Sequence, residues 1–494
     1  MNEVLISNAT ILTMDASRKI IPNGWLRIHG DTIVEIGYET RPTSRSTGAV
    51  YIDAAGALVT PGLISVHNHV IDSLLRGGVE SDRGLFDWLM NVYYTGTSFY
   101  EPADCAIAAR LTTAEAMRAG VTTIVDNWGV NNGGDRKRID ACADATIEVY
   151  REVGIRTIFA RMYSDTFPAY WADLVGSLIT KRGDSRLSVE TLVETTEGAL
   201  ESIEALMRKY HGVDNGRISV CPSPILPQTN TIEGMRQAKE LASRFDTVFP
   251  IHLCESELDS RVFPSSGSGG MSAVEFLNNA GLLDSRTLAA HCVWLDHKDM
   301  RLLKVNDVKV AHCPTSNMFL GAGIARIEEM LARGITVGLG TDDTNASSNA
   351  SILKDMRHAV LLAKVASCDA GAITAERVLE MATIDGAKAL GLDSQIGSIE
   401  VGKKGDLVIW NTEHSHWYPR HHWPSALVYQ AHCSDPDTVL IDGRVIMHGR
   451  KLHHLSNTDE VEMLHEAQRA SEGVLARAGM NAEREGAWQS VSLN

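Results

Sequence analysis

From Pro61 onward the chain alternates apolar runs of strand length with helical stretches, and this repetition restricts the fold more than any other feature. The runs fall at 62–69, 121–128, 156–163, 217–224, 248–255, 287–294, 308–317 and 336–343, with helical patterns between them such as Asp104 to Ala119 and Ala325 to Ala332. About eight strand–helix units in roughly 280 residues predict an α/β protein, a (β/α)8 TIM barrel, with reactive side chains at the C-terminal ends of the strands. Residues 1 to about 60 read as strands alone: Val4 to Met14, Trp25 to Ile28, Thr32 to Ile36 and Tyr51 to Asp53, with a hairpin turn at Gly30-Asp31. After the repeats comes one helix, Thr374 to Leu390, stopped by Gly391. Strand patterns then return at 406–410, 438–441 and 444–446, the last two joined by the turn dipeptide Asp442-Gly443. The expected organisation is a small β-sandwich domain from both chain ends (1–60 and 395–456), a barrel over 61–394 and a helical tail over 457–494.

The strand ends carry the chemistry. Residues two apart on a strand project to one side, so His67 and His69, closing the run that starts at Pro61-Gly62, can offer two imidazoles to one metal ion. Alone, such a pair is equally what polar residues at a strand end look like. Further ligand types at later strand ends change the balance: His252 with Glu255, then His291, then Asp342. His67, His69, His252 and Asp342 make a three-imidazole, one-carboxylate set for a divalent ion, with a position left for water. Zn²⁺ suits the set, and Fe²⁺, Mn²⁺ or Co²⁺ stay open because selectivity among them depends on geometry and supply. Such an ion lowers the pKa of bound water from 15.7 to about 7. Glu255 can then shuttle protons, His291 can hold the nucleophile or polarise the electrophile, and Asp342 can accept the water proton while remaining a ligand. The fourth run, Arg217 to Pro224, contains no Lys, Asp or Glu to bridge a second ion, so one ion per chain is expected.

Other residues read two ways. Phe86, Trp88, Tyr93, Tyr94, Phe99 and Tyr100 are concentrated in a chain with 6% aromatic residues; they either pack a loop helix or stack on a planar substrate above the pocket. Asp343 is a turn residue or the partner of a substrate amine. His312, before Cys313-Pro314, either orients neighbours from the core or joins the chemistry, and Cys254 reads as a small buried filler. Substrate contacts are expected at Trp88, Trp128, Ser223, Trp294 and Asp343. The net charge of −16 disfavours nucleic-acid and anionic-membrane partners and suits a small neutral or cationic substrate. No apolar run reaches the roughly 18 residues that span a bilayer, and Met1 to Ile6 lacks the marks of a signal peptide. The eight cysteines form no CxxC pair and several lie in apolar runs, as buried thiols do in a reducing compartment. We expect a cytoplasmic enzyme for a small molecule, assembled as a homodimer or higher homo-oligomer.

In order along the chain stand PGLxxxHxH, HLxE (His252 to Glu255), AHC (Ala290 to Cys292), HCPxSN (His312 to Asn317) and GTD (Gly340 to Asp342). This set resembles the amidohydrolase superfamily, and more narrowly its branch of triazine hydrolases, guanine deaminases and adenosylhomocysteine deaminases. The likeness extends to the opening ISNATILTMD and the closing GSIEVGKKGDLVIW and VLIDGRVI. It implies a metal-dependent hydrolase, typically acting on an amino-substituted purine, pyrimidine, pterin or triazine, with the residues above in the roles given. Hydroxide would add to an amidine-like carbon, Glu255 would protonate the ring nitrogen, and ammonia would leave. The same apparatus serves hydrolysis of an amide, urea or carbamate C–N bond, or a hydrolytic dechlorination. A catalytically silent assembly protein on this fold would have lost ligands, and none is lost. The sequence also departs from the branch. Nucleoside-deaminating members usually carry a histidine where Ser223 stands, and Trp294 replaces another common histidine, which points away from an adenosine-like substrate.

Overall fold

The computed structural model describes residues 3–39, 48–77, 84–131, 135–167, 188–262 and 271–480. The first strands are β1 (Glu3–Leu12), β2 (Ile20–His29), β3 (Thr32–Tyr38), β4 (Val50–Asp53) and β5 (Leu58–Pro61). There follow β6 (Leu63–His69), β7 (Val121–Trp128), β8 (Arg156–Tyr163), β9 (Ile218–Pro224) and β10 (Phe249–Leu253), then the short pair β11 (Arg261–Val262) and β12 (Met271–Ser272). The middle of the chain closes with β13 (Thr287–His291), β14 (Lys309–His312), β15 (Val337–Leu339) and β16 (Asp342–Asp343). The last strands are β17 (Leu407–Trp410), β18 (Pro436–Ile441), β19 (Arg444–His448) and β20 (Lys451–Leu452).

Every residue of β6, β7 and β8 is buried, as parallel strands covered on both faces require. These strands form a parallel sheet in the order β16-β6-β7-β8-β9, and a second parallel sheet runs β10-β13-β14-β15. The expected eight strands therefore appear as two sheets and not as one closed ladder. Proline accounts for one seam: Pro222 and Pro224 in β9 and Pro250 in β10 have no N–H to give. Ser223 Oγ instead donates to the Pro250 carbonyl at 3.1 Å. At the other seam Ile64 N donates to Ala382 O at 2.9 Å, outside any strand. That bond also explains why the expected single helix over 374–390 is two, Ala375–Met381 and Ile384–Ala389. The Ala382 carbonyl is turned out to β6 at a break where Thr383 has φ −132° and ψ −98°. Gly391, with φ +68°, ends the second helix as its place in the sequence predicts.

Both chain ends build one further sheet, β20-β19-β18-β17-β5-β1-β2-β3, with β4 beside β1. Asp442 and Gly443 turn β18 into β19 with φ +49° and +67°, the left-handed pair of a two-residue hairpin. This sheet is continuous and curls so that β2 and β3 come against β17 and β18. Ile28 and Ile33 share a core with Leu407 and Leu440, and Gly405 N donates to Asp31 O at 2.8 Å. A buried ion network joins this sheet to the parallel one: Arg156 of β8 binds Asp406 at 2.9 Å and also Asp442. The C-terminal helix, Asn457–Arg477, packs on the helix Pro102–Arg118 through the Arg118–Glu460 and Arg477–Asp104 pairs. No helix among the described residues is long and apolar enough to cross a membrane.

Candidate metal centre and active site

The strand ends converge. β6 delivers His67 and His69, β10 His252, β13 His291, and Asp342 opens β16 opposite Asn68. Neighbouring imidazole centroids among the four histidines stand 4.8 to 5.5 Å apart. Asp342 Oδ1 lies 3.2 Å from His67 Nε2 and 3.3 Å from His69 Nε2. Hydrogen bonds on the outer side set the tautomers. His69 Nδ1 is 2.7 Å from Asn127 O, and His252 Nδ1 is 2.9 Å from Ile225 O. Carbonyls only accept, so both rings carry their proton on Nδ1 and turn a bare Nε2 inward. Those two bare nitrogens face each other at 3.3 Å. Opposed lone pairs at that distance repel unless a cation lies between them, so the donor set fits a divalent ion. His67 Nε2 is likewise buried and turned inward, 3.2 Å from Asp342 Oδ1. Its Nδ1 is 2.7 Å from the Asn127 amide, which accepts the ring proton once its oxygen is turned toward the ring.

Local backbone strain marks the same points. Cys254, His291, Cys292 and Asp342 adopt φ between +51° and +69°, a left-handed conformation that costs non-glycine residues about 1–3 kcal/mol each. Gly340 is required where it stands, because a Cβ there would lie 2.8 Å from both Cβ and O of His67. The turn after it is stitched to β6: Thr341 N donates to Ser65 Oγ at 3.1 Å and Thr341 Oγ1 to Asn68 Oδ1 at 2.6 Å.

Burial lowers the His252 and His69 rings, the latter to about 4, and so keeps them neutral as ligands must be. Burial would raise the Asp342 carboxyl, but His67 and His291 hold it far below the ordinary range. Glu255 is buried with Oε2 3.7 Å from His291 Nε2. Burial pushes its carboxyl up to about 8, with His291 pulling the other way. Burial opposes charge on His291 as well, yet Glu255 and Asp342 raise it above the usual value. His291 Nδ1 is held by Asn317 Oδ1 at 3.0 Å, so its Nε2 faces Glu255 and Asp342.

A cavity opens over these groups, with His69, His252, Glu255, His291, Asp342 and Asp343 among its lining residues. Of the aromatic stretch, Phe86, Trp88, Tyr93 and Tyr94 line it, whereas Tyr100 is fully buried with its hydroxyl on Ile71 O at 3.1 Å. Among the expected substrate contacts, Trp88 and Asp343 are on the wall, and Trp128, Ser223 and Trp294 are not among the described lining residues. Trp128 is fully buried against Phe159, its indole N–H on Thr146 Oγ1 at 3.1 Å. Strand alternation is the reason: its neighbour Asn127 faces the histidines, so Trp128 faces the helix layer. Ser223 stitches the β9–β10 seam, and Trp294 is 44% exposed with Nε1 on Ala322 O at 2.6 Å. Neither residue therefore speaks against a nucleoside. His312 is buried at the end of β14, also off the described wall, with its ring lowered to about 3 by burial and His291. Asn127 and Thr341 went unread in the sequence, although the GTD motif was the available signal for Thr341.

The model of the amidohydrolase family matches residues 58–446. An S-triazine hydrolase of Gordonia rubripertincta is 31% identical, across 99% of this chain and 100% of that protein. A 5-methylthioadenosine/S-adenosylhomocysteine deaminase of Thermoanaerobacter pseudethanolicus is 34% identical, across 96% of this chain and 100% of that protein. Among solved structures, an adenosine deaminase from Xanthomonas campestris with bound zinc superposes with a TM-score of 0.80 at 24% identity, covering 96% of this chain and 98% of that one. An atrazine chlorohydrolase from Arthrobacter aurescens complexed with zinc gives 0.82 at 24% identity, covering 95% and 100%.

Proposed function

The chain belongs to the amidohydrolase family, and from that premise we propose that it hydrolyses an amino-substituted nitrogen heterocycle at a ring carbon, releasing ammonia and leaving the ring intact. The observation that carries this reading is the convergence of bare, buried imidazoles and Asp342 beside Glu255, at the base of an aromatic-walled cavity. When held by His67, His69, His252 and Asp342, a divalent ion supplies the Lewis acidity that makes water nucleophilic near neutral pH. Water adds to the carbon bearing the amine. Glu255, protonated near neutrality, gives its proton to the adjacent ring nitrogen and then passes the proton taken from water to the departing amine. His291, 3.7 Å from Glu255, orients the attacking oxygen, and Asp342 takes that oxygen's second proton and returns it to Glu255, which restores the starting state. Phe86, Trp88, Tyr93 and Tyr94 supply faces on which a planar ring stacks.

We read one zinc ion per chain, because β9 ends without Lys, Asp or Glu and two solved neighbours hold zinc. The two parallel sheets are read as two arcs of one (β/α)8 barrel over 61–394. The curled sheet is then the sandwich domain, 1–60 and 395–456, and 457–494 the appended tail. We further read the protein as a cytoplasmic homo-oligomer, with sedimentation as the measurement of its assembly.

The test is a screen of the metal-loaded protein against aminopurines, aminopyrimidines, pterins and aminotriazines, with their nucleosides where these exist. Ammonia with an intact hydroxylated ring supports the reading. Two organic fragments would assign amide, urea or carbamate cleavage instead, and chloride release from a chlorinated ring would assign dechlorination.

A further inference from the structure

One fully buried carboxyl group has no part in the chemistry above. Asp355 is carried by the helix Ile352–Ser367, which Arg357 fastens to the Ala431 carbonyl at 2.9 Å. Asp355 Oδ1 accepts from Thr315 Oγ1 at 2.6 Å and from Thr315 N at 3.3 Å. His358 Nδ1, one turn further on, stands 2.9 Å from Thr315 Oγ1. That hydroxyl spends its proton on Asp355, so it accepts from the imidazole. An ion pair with the neighbouring Lys354 does not account for the carboxyl, because Lys354 Nζ is 3.8 Å away and donates to the Asn349 carbonyl at 3.0 Å. Burying such a group is costly unless it is hydrogen-bonded, and both bonds to Oδ1 come from Thr315. What Thr315 holds is a wall of the cavity. It lies in the short helix Pro314–Phe319, whose first residues have no side-chain cap from their own segment. The next two residues face the centre: Ser316 lines the cavity, and Asn317 Oδ1 holds His291 Nδ1 at 3.0 Å. The returning chain is tied to the same point, Ala322 N donating to Asn317 O at 2.8 Å, and Leu320 between them is on the wall.

We propose that Asp355 is a positioning residue for the reaction: through Thr315 it fixes the 314–319 segment, so that Asn317 keeps His291 Nε2 directed at Glu255 and Asp342. The inference rests on the role given to His291 above, while the hydrogen-bond path itself can be read without a substrate. Displacing a group that orients the attacking oxygen by about 1 Å costs up to about 100-fold in rate, even when the change lies far from the chemistry. Oδ1 has only to accept from Thr315, so an amide oxygen at this position serves as well as a carboxylate oxygen.

The experiment uses the zinc-loaded full chain with isotope-labelled histidine, read by NMR beside the ammonia assay. An amide oxygen only accepts, so His291 carries a proton on Nδ1 whether its ring is neutral or charged, and the protected N–H signal that His291→Asn removes is the one to follow. Asp355→Ala and Thr315→Val should broaden or lose that signal at unchanged zinc content, and Asp355→Asn should keep it. The first two should lower kcat by about 10–100-fold with KM within about threefold of wild type, and Asp355→Asn should lower kcat by less than about threefold. A merely structural role would lower the unfolding temperature and leave both the signal and kcat in place. In an Asn317→Ala background, where the link to His291 is gone, Asp355→Ala should cost nothing more in kcat; losses that multiply overturn the path. An unchanged signal in Asp355→Ala, or equal damage from Asp355→Asn, also overturns it. Should Asp355→Ala fold poorly, Thr315→Val decides by the same signal, retention refuting the path and loss supporting it. If wild type releases ammonia from no ring, the functional reading fails, and the signal comparison alone decides the path.

Discussion

At the scale of single residues, the centre is defined by which nitrogen of each ring is free. His69 and His252 spend Nδ1 on carbonyls and keep Nε2 for the ion, so a metal is part of the site's hydrogen-bond accounting. We predict that His67→Ala or Asp342→Asn lowers metal content and activity together, measured by elemental analysis beside the ammonia assay; full metal with lost activity would remove them from the ligand set. Glu255→Gln should keep the metal and lose about 10²–10⁴-fold in kcat, the usual contribution of general acid–base catalysis. Retention of more than about a tenth of wild-type kcat would shift the proton shuttle to His291. The residues that converge were legible in the sequence because each is a metal-binding type at a strand end. Trp128 was misread because one step along a strand reverses the face, and only the neighbouring contacts of Asn127 reveal which face is inward.

At the scale of elements, the turn Gly340-Thr341-Asp342 depends on β6 for its position. Ser65 and Asn68 hold Thr341 by side-chain hydrogen bonds, in a region where Ile64 N is committed to Ala382 O. Replacing Thr341 with Val or Asn68 with Ala should weaken metal binding by about 10–100-fold in chelator competition, as losing an outer hydrogen bond to a ligand set does. An unchanged affinity would mean that the turn holds its shape without β6. The strands themselves were readable from apolar runs, and most observed ends lie within a few residues of expectation. The helix over 374–390 was read as continuous because its apolar pattern runs straight through Thr383, while the pull on Ala382 comes from a strand some 300 residues earlier.

At the scale of the whole molecule, the curled sheet and the parallel sheets are locked by charge buried between them. Arg156, Asp406 and Asp442 are nearly inaccessible, so Arg156→Met leaves the Asp406 carboxylate without its guanidinium and Asp442 with Arg217 at 3.6 Å. Loss of about 3–5 kcal/mol in denaturant unfolding is expected, the range for breaking a buried pair from one side; a change below about 1 kcal/mol would mean that water replaces the arginine. Asp31 makes a weaker clasp across the curl. Lys404 at 2.5 Å, and then Thr32, hold its carboxyl below the ordinary 3.8. A depressed carboxyl contributes fully above its unfolded value and loses that contribution as pH falls through the lower folded one. Asp31→Asn should therefore narrow the stability gap between neutral pH and about pH 3, by no more than about 1 kcal/mol for a partly exposed pair. An unchanged gap would show that the clasp contributes nothing.

The order and kind of the strand-end residues, the strand–helix repeat and the sharing of one sheet by both chain ends were determined by the sequence itself, since local periodicity and turn chemistry are written in neighbouring residues. Only tertiary structure decided which side chains face the cavity and where the ladders break. Prolines in β9 and β10 thin the backbone pairing, down to bonds such as His252 N to Ile225 O at 3.1 Å, at a seam that exists only once those strands are adjacent.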